Sequence, residues 1–350
     1  MTTVHAVVPD GIDDAARPSG GNAYDRRVLD GLREAGCTVR EHPVAGDWPR
    51  PDREALAGLA AVLAEIPAGA VLLVDGLVAS CSAEVLLEEA GRLRLVVLVH
   101  LPLVIEDPAA ALEERRVLRS ATAVLATSDW TRRRLVEAYA LSDDRVHVAR
   151  PGVDAAQLAP GSSTGASLLC VGAVSPLKGQ ATLAEALALV ADLPWRCVLA
   201  GALHVAPDHV ADVRARLAAA GVSPRVSFVG PLGKGPLERA YAAADLVVVP
   251  SRAETYGMVV TEALARGLPV LATRVGGIPE ALGGHGDDVP GLLVPAEGPE
   301  PLAAALREWL GDADLRSRLR GRAVARRATL SPWSRTVADV ARVLQQVSRD

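Results

Sequence analysis

Short apolar runs rich in Val, Leu and Ala alternate along this chain with longer stretches whose apolar positions recur at helical spacing. In the first half the runs fall at residues 4–8, 38–41, 70–74, 95–99, 123–126 and 146–149, with helical spacing over 22–35, 53–65 and 129–140. The same alternation restarts at 167–171 and continues through runs at 197–200, 226–229, 246–249 and 270–272. Strand followed by helix, repeated, predicts parallel sheets covered on both faces. The break between the halves is Pro160-Gly161-Ser162-Ser163-Thr164-Gly165, whose composition predicts a flexible linker. A last helical stretch is expected at 332–347. Neither internal repeats nor low-complexity tracts interrupt the pattern.

The segment from Asp245 to Pro269 departs most from a plain strand and helix. Its apolar run 246–249 gives way to polar residues 251–256, and Gly257 opens a helical stretch that ends near Gly267, a C-cap candidate. Glu254 therefore stands on the loop before a helix and Glu262 inside that helix. The N–H groups and positive dipole end of the helix start suit a phosphate. An acid on each side of such an anion site suits hydroxyl-rich groups flanking a phosphate, the layout of a sugar nucleotide. On spacing alone, the better reading is Glu254 as a helix cap and Glu262 as a solvated charge.

Composition narrows the field. With 350 residues the chain is long enough for two domains, and half its residues are hydrophobic with only 3% aromatic, which requires an aliphatic core. A formal net charge of −5 gives no reason to expect nucleic-acid binding. Arg115, Arg116, Arg119 and Arg132 to Arg134 form a local exception, read as solvated helix faces. Cys37, Cys81, Cys170 and Cys197 are widely separated and lack metal-ligand spacing; Cys170 and Cys197 read as core residues. The histidines are scattered, so no metal site is expected. The opening Met1-Thr2-Thr3 shows no leader pattern and no apolar run is long enough to span a bilayer, so a cytoplasmic protein without stable membrane insertion is expected.

The Glu254 to Glu262 segment, followed by Gly276-Gly277-Ile278-Pro279-Glu280 and Gly291-Leu292-Leu293-Val294-Pro295, resembles the E-x7-E signature region of the retaining family 4 glycosyltransferases. The resemblance extends over the whole chain. It implies an α/β GT-B fold, two doubly wound Rossmann-like domains with a cleft between them. Residues 1–160 would be the acceptor side, 161–330 the nucleotide-sugar donor domain, and 331–350 a helix crossing back to the first domain.

It also implies site residues. Gly172 to Gly179 is similar to the family's G-R-x-x-x-x-K-G loop, so Lys178 would face the donor diphosphate. At ~4 Å and an effective dielectric of ~20 such a contact is worth about 4 kcal/mol. The family Arg is replaced by Ala173, and Arg252 or Arg274 would take its place. Glu254 would bind a donor-sugar hydroxyl, and Thr255, Tyr256, Gly257, Met258 and Val259 would line the sugar and phosphate with backbone N–H groups. Glu262 would bind the ribose, and Gly230 would lie near the base or be a plain turn glycine. Gly20 and Gly21 match the family's glycine loop, and His100 its histidine near the reacting carbon. Ser128 also matches, and is equally placed to cap a helix. Pro151-Gly152-Val153-Asp154 matches apart from lacking the usual Asn.

With His100, Lys178 and Glu254 in catalytic roles, the implied reaction moves a sugar from a nucleoside diphosphate sugar to an acceptor with retention. No metal or cofactor is expected. The departing phosphate would take the acceptor proton, since no carboxylate is placed as a glycosidase-type nucleophile. The acceptor, whether a small molecule, a lipid-linked group or a glycan, is not readable. The alternative is a catalytically silent nucleotide-sugar-binding protein, supported only by Ala173. A phosphorylase is expected to be larger, and a dinucleotide oxidoreductase needs a G-x-G-x-x-G that neither Val171-Gly172 nor Pro9-Asp10-Gly11 supplies.

Overall fold

The computed structural model describes residues 3–105, 111–284 and 286–349. Met1 and Thr2, part of the expectation about the N-terminus, lie outside them. The chain divides into two compact units: Met1–Asp14 with Gly20–Gly152 and Ser331–Asp350, and Ala15–Ser19 with Val153–Leu330.

The first unit contains β1 (Thr3–Pro9), α1 (Gly20–Glu34), β2 (Thr38–Val44), α2 (Arg53–Ala64), β3 (Val71–Asp75), the short α3 (Gly76–Ala79) and α4 (Ala83–Glu89). It continues with β4 (Arg94–Val99), α5 (Ala111–Ser120), β5 (Ala123–Ala126), α6 (Asp129–Tyr139) and β6 (Val146–Val148). All strand pairs are parallel, in the order β2-β1-β3-β4-β5-β6. β3 and β5 are buried along their whole length, so each is apolar throughout rather than alternating. α1 begins at Gly20, earlier than its apolar spacing suggests, so Gly20 and Gly21 form its first turn and not a preceding loop. Ser128 caps α6 by accepting the Thr131 N–H at 3.0 Å.

The second unit contains β7 (Ser167–Val171), α7 (Gln180–Leu189), β8 (Arg196–Ala200), α8 (Pro207–Ala219), β9 (Val226–Gly230), α9 (Lys234–Ala242) and β10 (Leu246–Val249). It continues with α10 (Met258–Ala265), β11 (Val270–Thr273), α11 (Ile278–Leu282), β12 (Gly291–Val294), α12 (Glu300–Gly311) and α13 (Ala313–Arg327). Its sheet is again parallel, in the order β12-β11-β10-β7-β8-β9. The β12 strand was not expected, because its four residues sit inside a stretch read only as a motif. α10 ends as its Gly signal predicts: Gly267 has φ of +66° and Leu268 N–H returns to Ala263 O at 3.0 Å.

The helix α14 (Trp333–Arg349) belongs to the first unit and packs on α1. Gly31 makes this possible, since a Cβ there would sit 2.3 Å from Val337. Thr336 Oγ1 donates to Arg150 O at 2.7 Å and Arg94 to Ser348 O at 2.6 Å. Among the described residues no helix is long and apolar enough to cross a membrane. Of the basic residues, Arg132 is tied to the carbonyls of Val146 and Asp143, and Arg116 pairs with Glu113. Cys170 and Cys197 are buried core residues, as their apolar surroundings suggest.

The 160–165 stretch is not a free linker. Buried Asp245 accepts hydrogen bonds from the N–H and hydroxyl of Ser162 and from Ser167 N–H, and Ala159 N–H donates to Arg266 O at 2.9 Å. The units divide earlier, at Gly152 and Val153. Linker-like composition shows what the backbone tolerates; it does not reveal a carboxylate far along the chain. Asp245→Ala is expected to strip these donors of their acceptor and destabilise the second unit by about 2–3 kcal/mol, and Asp245→Asn by less. Chemical denaturation of the two variants checks this.

Candidate active site

β7 and β10 are neighbours at the centre of the second sheet, and the strand order runs outward from them in opposite directions. Doubly wound sheets bind ligands beyond the carboxyl ends of such a pair. The segment after β7 carries Lys178 and the segment after β10 carries Glu254, and the two side chains meet, Nζ to Oε1, at 2.5 Å. Ser251 donates its hydroxyl to the same carboxylate oxygen at 3.0 Å. Arg252 N–H donates to Leu177 O at 2.8 Å, joining the two loops through the backbone. Gln180, fully buried, braces the first loop by donating to Ala173 O at 3.0 Å and accepting from Ser175 N–H at 3.3 Å.

These loops pack backbone on backbone. Gly179 has φ of +70°, and a Cβ there would lie 2.0 Å from Pro250 O. On the other flank, a Cβ on Gly276 would lie 1.7 Å from Glu254 O and one on Gly277 2.1 Å from Thr255 O. The glycine pair quoted as a motif is thus the floor under the Glu254 loop, and Gly277 N–H donates to Glu254 O at 2.9 Å.

α10 starts just after Gly257, φ +91°, which caps it without a side chain. Glu254 is therefore not the cap that spacing alone allowed. Thr255, Tyr256 and Gly257 lead into the helix, and Met258 and Val259 occupy its first turn, where N–H groups lack helical partners. Glu262 lies in the next turn and is not a solvated charge: Tyr241 donates its hydroxyl to Glu262 Oε2 at 2.7 Å. Burial raises the Glu262 carboxyl above its usual range, with the Tyr241 bond and Arg266 acting against it. Gly172 closes β7 with φ of +144° and Gly230 closes β9, accepting from Gly201 N–H at 2.8 Å. Arg252 and Arg274 are exposed. Ala173 supplies no cation, so Lys178 is the charge this loop offers.

His100 sits in the first unit, just beyond β4. Its Nε2 is 2.7 Å from Asp25 Oδ1 and 3.6 Å from Asp75 Oδ2, with all three side chains largely buried. Asp25 comes from α1; Asp75 ends β3 and caps α3 by accepting Leu77 N–H at 2.7 Å. Gly21 lies against the imidazole, where a Cβ would be 3.2 Å from Cδ2. The buried Tyr24 ring meets it edge-on at 5.2 Å, and the Tyr24 hydroxyl donates to Ala149 O at 2.8 Å. Burial alone would lower the His100 pKa, but the Asp25 charge and hydrogen bond, aided by Asp75, outweigh it and raise it to about 8. Burial and the neighbouring Asp25 charge push the Asp75 carboxyl well above its ordinary value. Asp25, Asp75 and His100 have the ligand types of a metal site. Their closest pair is nonetheless a hydrogen bond, which fits a His–Asp pair holding one ring orientation.

Each unit thus gathers its own share of the expected residues: Gly20, Gly21 and His100 in the first, the remainder in the second. Asp25, Asp75, Ser251, Gln180 and Tyr241 were not anticipated. Asp75 carried a signal, an acid at the carboxyl end of a buried strand. Asp25 and Tyr241 look in sequence like ordinary helical positions.

Comparison with known proteins gives matches over both units. The family model described as glycosyltransferase family 4 matches residues 72–157, and the one described as glycosyl transferases group 1 matches 165–312. D-inositol 3-phosphate glycosyltransferase of Jonesia denitrificans is 34% identical over 261 residues, covering 69% of this chain and 61% of that protein. The protein of the same name from Frankia alni is 36% identical over 255 residues, covering 68% and 62%. The chain therefore spans about three fifths of the length of the curated relatives it matches. Among solved structures, sucrose-phosphate synthase from Thermosynechococcus elongatus superposes with a TM-score of 0.82 at 21% identity, covering 99% of each chain. Anabaena HepE in complex with UDP-glucose superposes at 0.78 and 19% identity, covering 99% of this chain and 100% of that one. The fold is GT-B. The chain belongs to the family 4 glycosyltransferases.

The Asp25 contact makes His100 a pH-dependent element. A folded pKa near 8 against ~6.5 unfolded means its stabilising contribution, about 2 kcal/mol, is complete below pH ~6.5 and is lost as pH rises through 8. Asp25→Asn is expected to bring the His100 titration down toward or below the unperturbed value and remove that loss. Titrating the imidazole signals by NMR, with His100→Gln for assignment, checks it.

Proposed function

We propose that this protein is a retaining glycosyltransferase that moves a sugar from a nucleoside diphosphate sugar to an acceptor. The observation that carries the reading is the meeting of Lys178, Glu254 and Ser251 beyond β7 and β10, with the start of α10, which lacks a side-chain cap, beside them. Lys178 and Glu254 form an ion pair with one another. A bound donor would exchange that pairing for two others: the ammonium with the diphosphate, and the carboxylate with a sugar hydroxyl. Breaking the glycosidic bond leaves negative charge on the departing phosphate. A cation and backbone N–H groups fixed in advance bind that charge more strongly than the intact donor. Glu262 would take the ribose, and His100, held by Asp25, would present its ring to the sugar. Retention follows if the departing phosphate takes the acceptor proton on the face it leaves.

The names of the inositol 3-phosphate relatives support a phosphorylated polyol as acceptor class. The UDP-glucose in the HepE structure makes that donor the first to test. Incubating UDP-, GDP- and ADP-sugars with and without phosphorylated polyols, and following the anomeric proton by NMR, tests the reading. Product with inverted configuration overturns retention. Donor binding without hydrolysis or transfer favours the silent binder that Ala173 suggests.

Activity is expected to survive EDTA, because Lys178 and the α10 N–H groups are assigned the departing charge. Turnover abolished by chelation and restored by Mg²⁺ or Mn²⁺ overturns that assignment. Lys178→Ala is expected to lower kcat by about 10²–10³ with a smaller change in donor KM, and Lys178→Arg to restore only part of it. A variant with normal kcat and a raised KM reassigns Lys178 to ground-state binding.

A further inference from the structure

All four tyrosines of this chain are buried, and the hydroxyls of Tyr24, Tyr139 and Tyr241 each donate to a defined acceptor: Ala149 O, Glu114 and Glu262. The first two acceptors serve the interior of the first unit. The third is a residue of the donor site.

Tyr241 comes from α9 and is completely buried in an aliphatic cluster that includes Val260, Ala263 and Leu264 of α10. A phenylalanine ring would fill this space equally well, so packing does not account for the hydroxyl. Its single O–H is directed at Glu262 Oε2 at 2.7 Å. Arg266 completes the arrangement. Its guanidinium carbon lies 4.3 Å from the Tyr241 ring centroid, and it donates to Glu262 O at 2.7 Å and to Glu238. Glu262 is thus held at its backbone by Arg266 and at one carboxylate oxygen by Tyr241, while Oε1 remains as an acceptor. A carboxylate fixed by one oxygen loses less side-chain freedom when the other oxygen binds a ligand.

We propose that Tyr241 is a positioning residue that presets Glu262 to accept hydrogen bonds from the cis-diol of a ribose, so that the protein selects ribonucleoside over dideoxyribonucleoside diphosphates. This rests on the donor reading above and adds to it the residue that sets sugar selectivity within the nucleotide.

Calorimetric titration of the full chain with UDP, GDP and ADP identifies the nucleotide that binds, and its 2′,3′-dideoxy form is then compared. Wild type is expected to prefer the ribonucleotide. Tyr241→Phe should weaken the ribonucleotide about tenfold and the dideoxynucleotide less than twofold. Glu262→Gln should abolish most of the preference, and adding Tyr241→Phe to it should cause little further loss. Glu262→Asp, too short to keep both partners, carries the same expectation if Tyr241→Phe does not fold. Equal weakening of both nucleotides, or none, overturns the role given to Tyr241. A wild type that binds both equally removes Glu262 from the ribose and overturns the inference while leaving the donor reading in place. Binding of none of the three overturns both.

Discussion

The loops that follow β7 and β10 depend on a backbone approach that a side chain would block. The turn before α7 passes Pro250, and the turn before α11 passes the Glu254 and Thr255 carbonyls, at distances where a Cβ would collide. Glycine at 179, 276 and 277 removes the collision. Only then can the segments after β7 and β10 lie side by side, so that Lys178 and Glu254 reach one another and Arg252 N–H finds Leu177 O. Parallel strands supply the direction and the reversal of strand order supplies the crevice. The close approach brings the charges together.

A second regularity is that Glu254, Glu262 and His100 are each held by an uncharged or opposite partner. Glu254 has Ser251 and Lys178, Glu262 has Tyr241, His100 has Asp25 and Asp75, and the loop before Lys178 has Gln180. Such partners limit the rotamers a functional group samples and set its charge state. The His100 ring illustrates the balance, with burial favouring the neutral form and two carboxyls favouring the charged one. Tyr241 does the corresponding work for Glu262 in an aliphatic setting, where an unpaired carboxylate would be costly.

Much of this was legible in the chain. Parallel strands with buried centres read as apolar runs, and 123–126, 167–171 and 246–249 coincide with β5, β7 and β10 to the residue. Gly267 marked the end of α10. The family resemblance singled out Lys178, Glu254, Glu262 and His100 as candidates, and the structure gives each a defined partner. The short β12 was read only as part of the Gly291 to Pro295 motif, and 160–165 was taken for a free linker because its anchor is Asp245.

Sequence by itself determined the order of strands and helices, the aliphatic core, the glycines that permit close turns and the identity of the charged residues. These follow from local periodicity and from chemistry belonging to single residues. Tertiary structure alone decided which of those residues pair: Lys178 with Glu254, Tyr241 with Glu262, Asp25 with His100, Asp245 with Ser162. Each pair joins segments far apart in the chain. Neither local spacing nor composition records which strand ends become neighbours, because that depends on strand order and on the packing of one backbone against another.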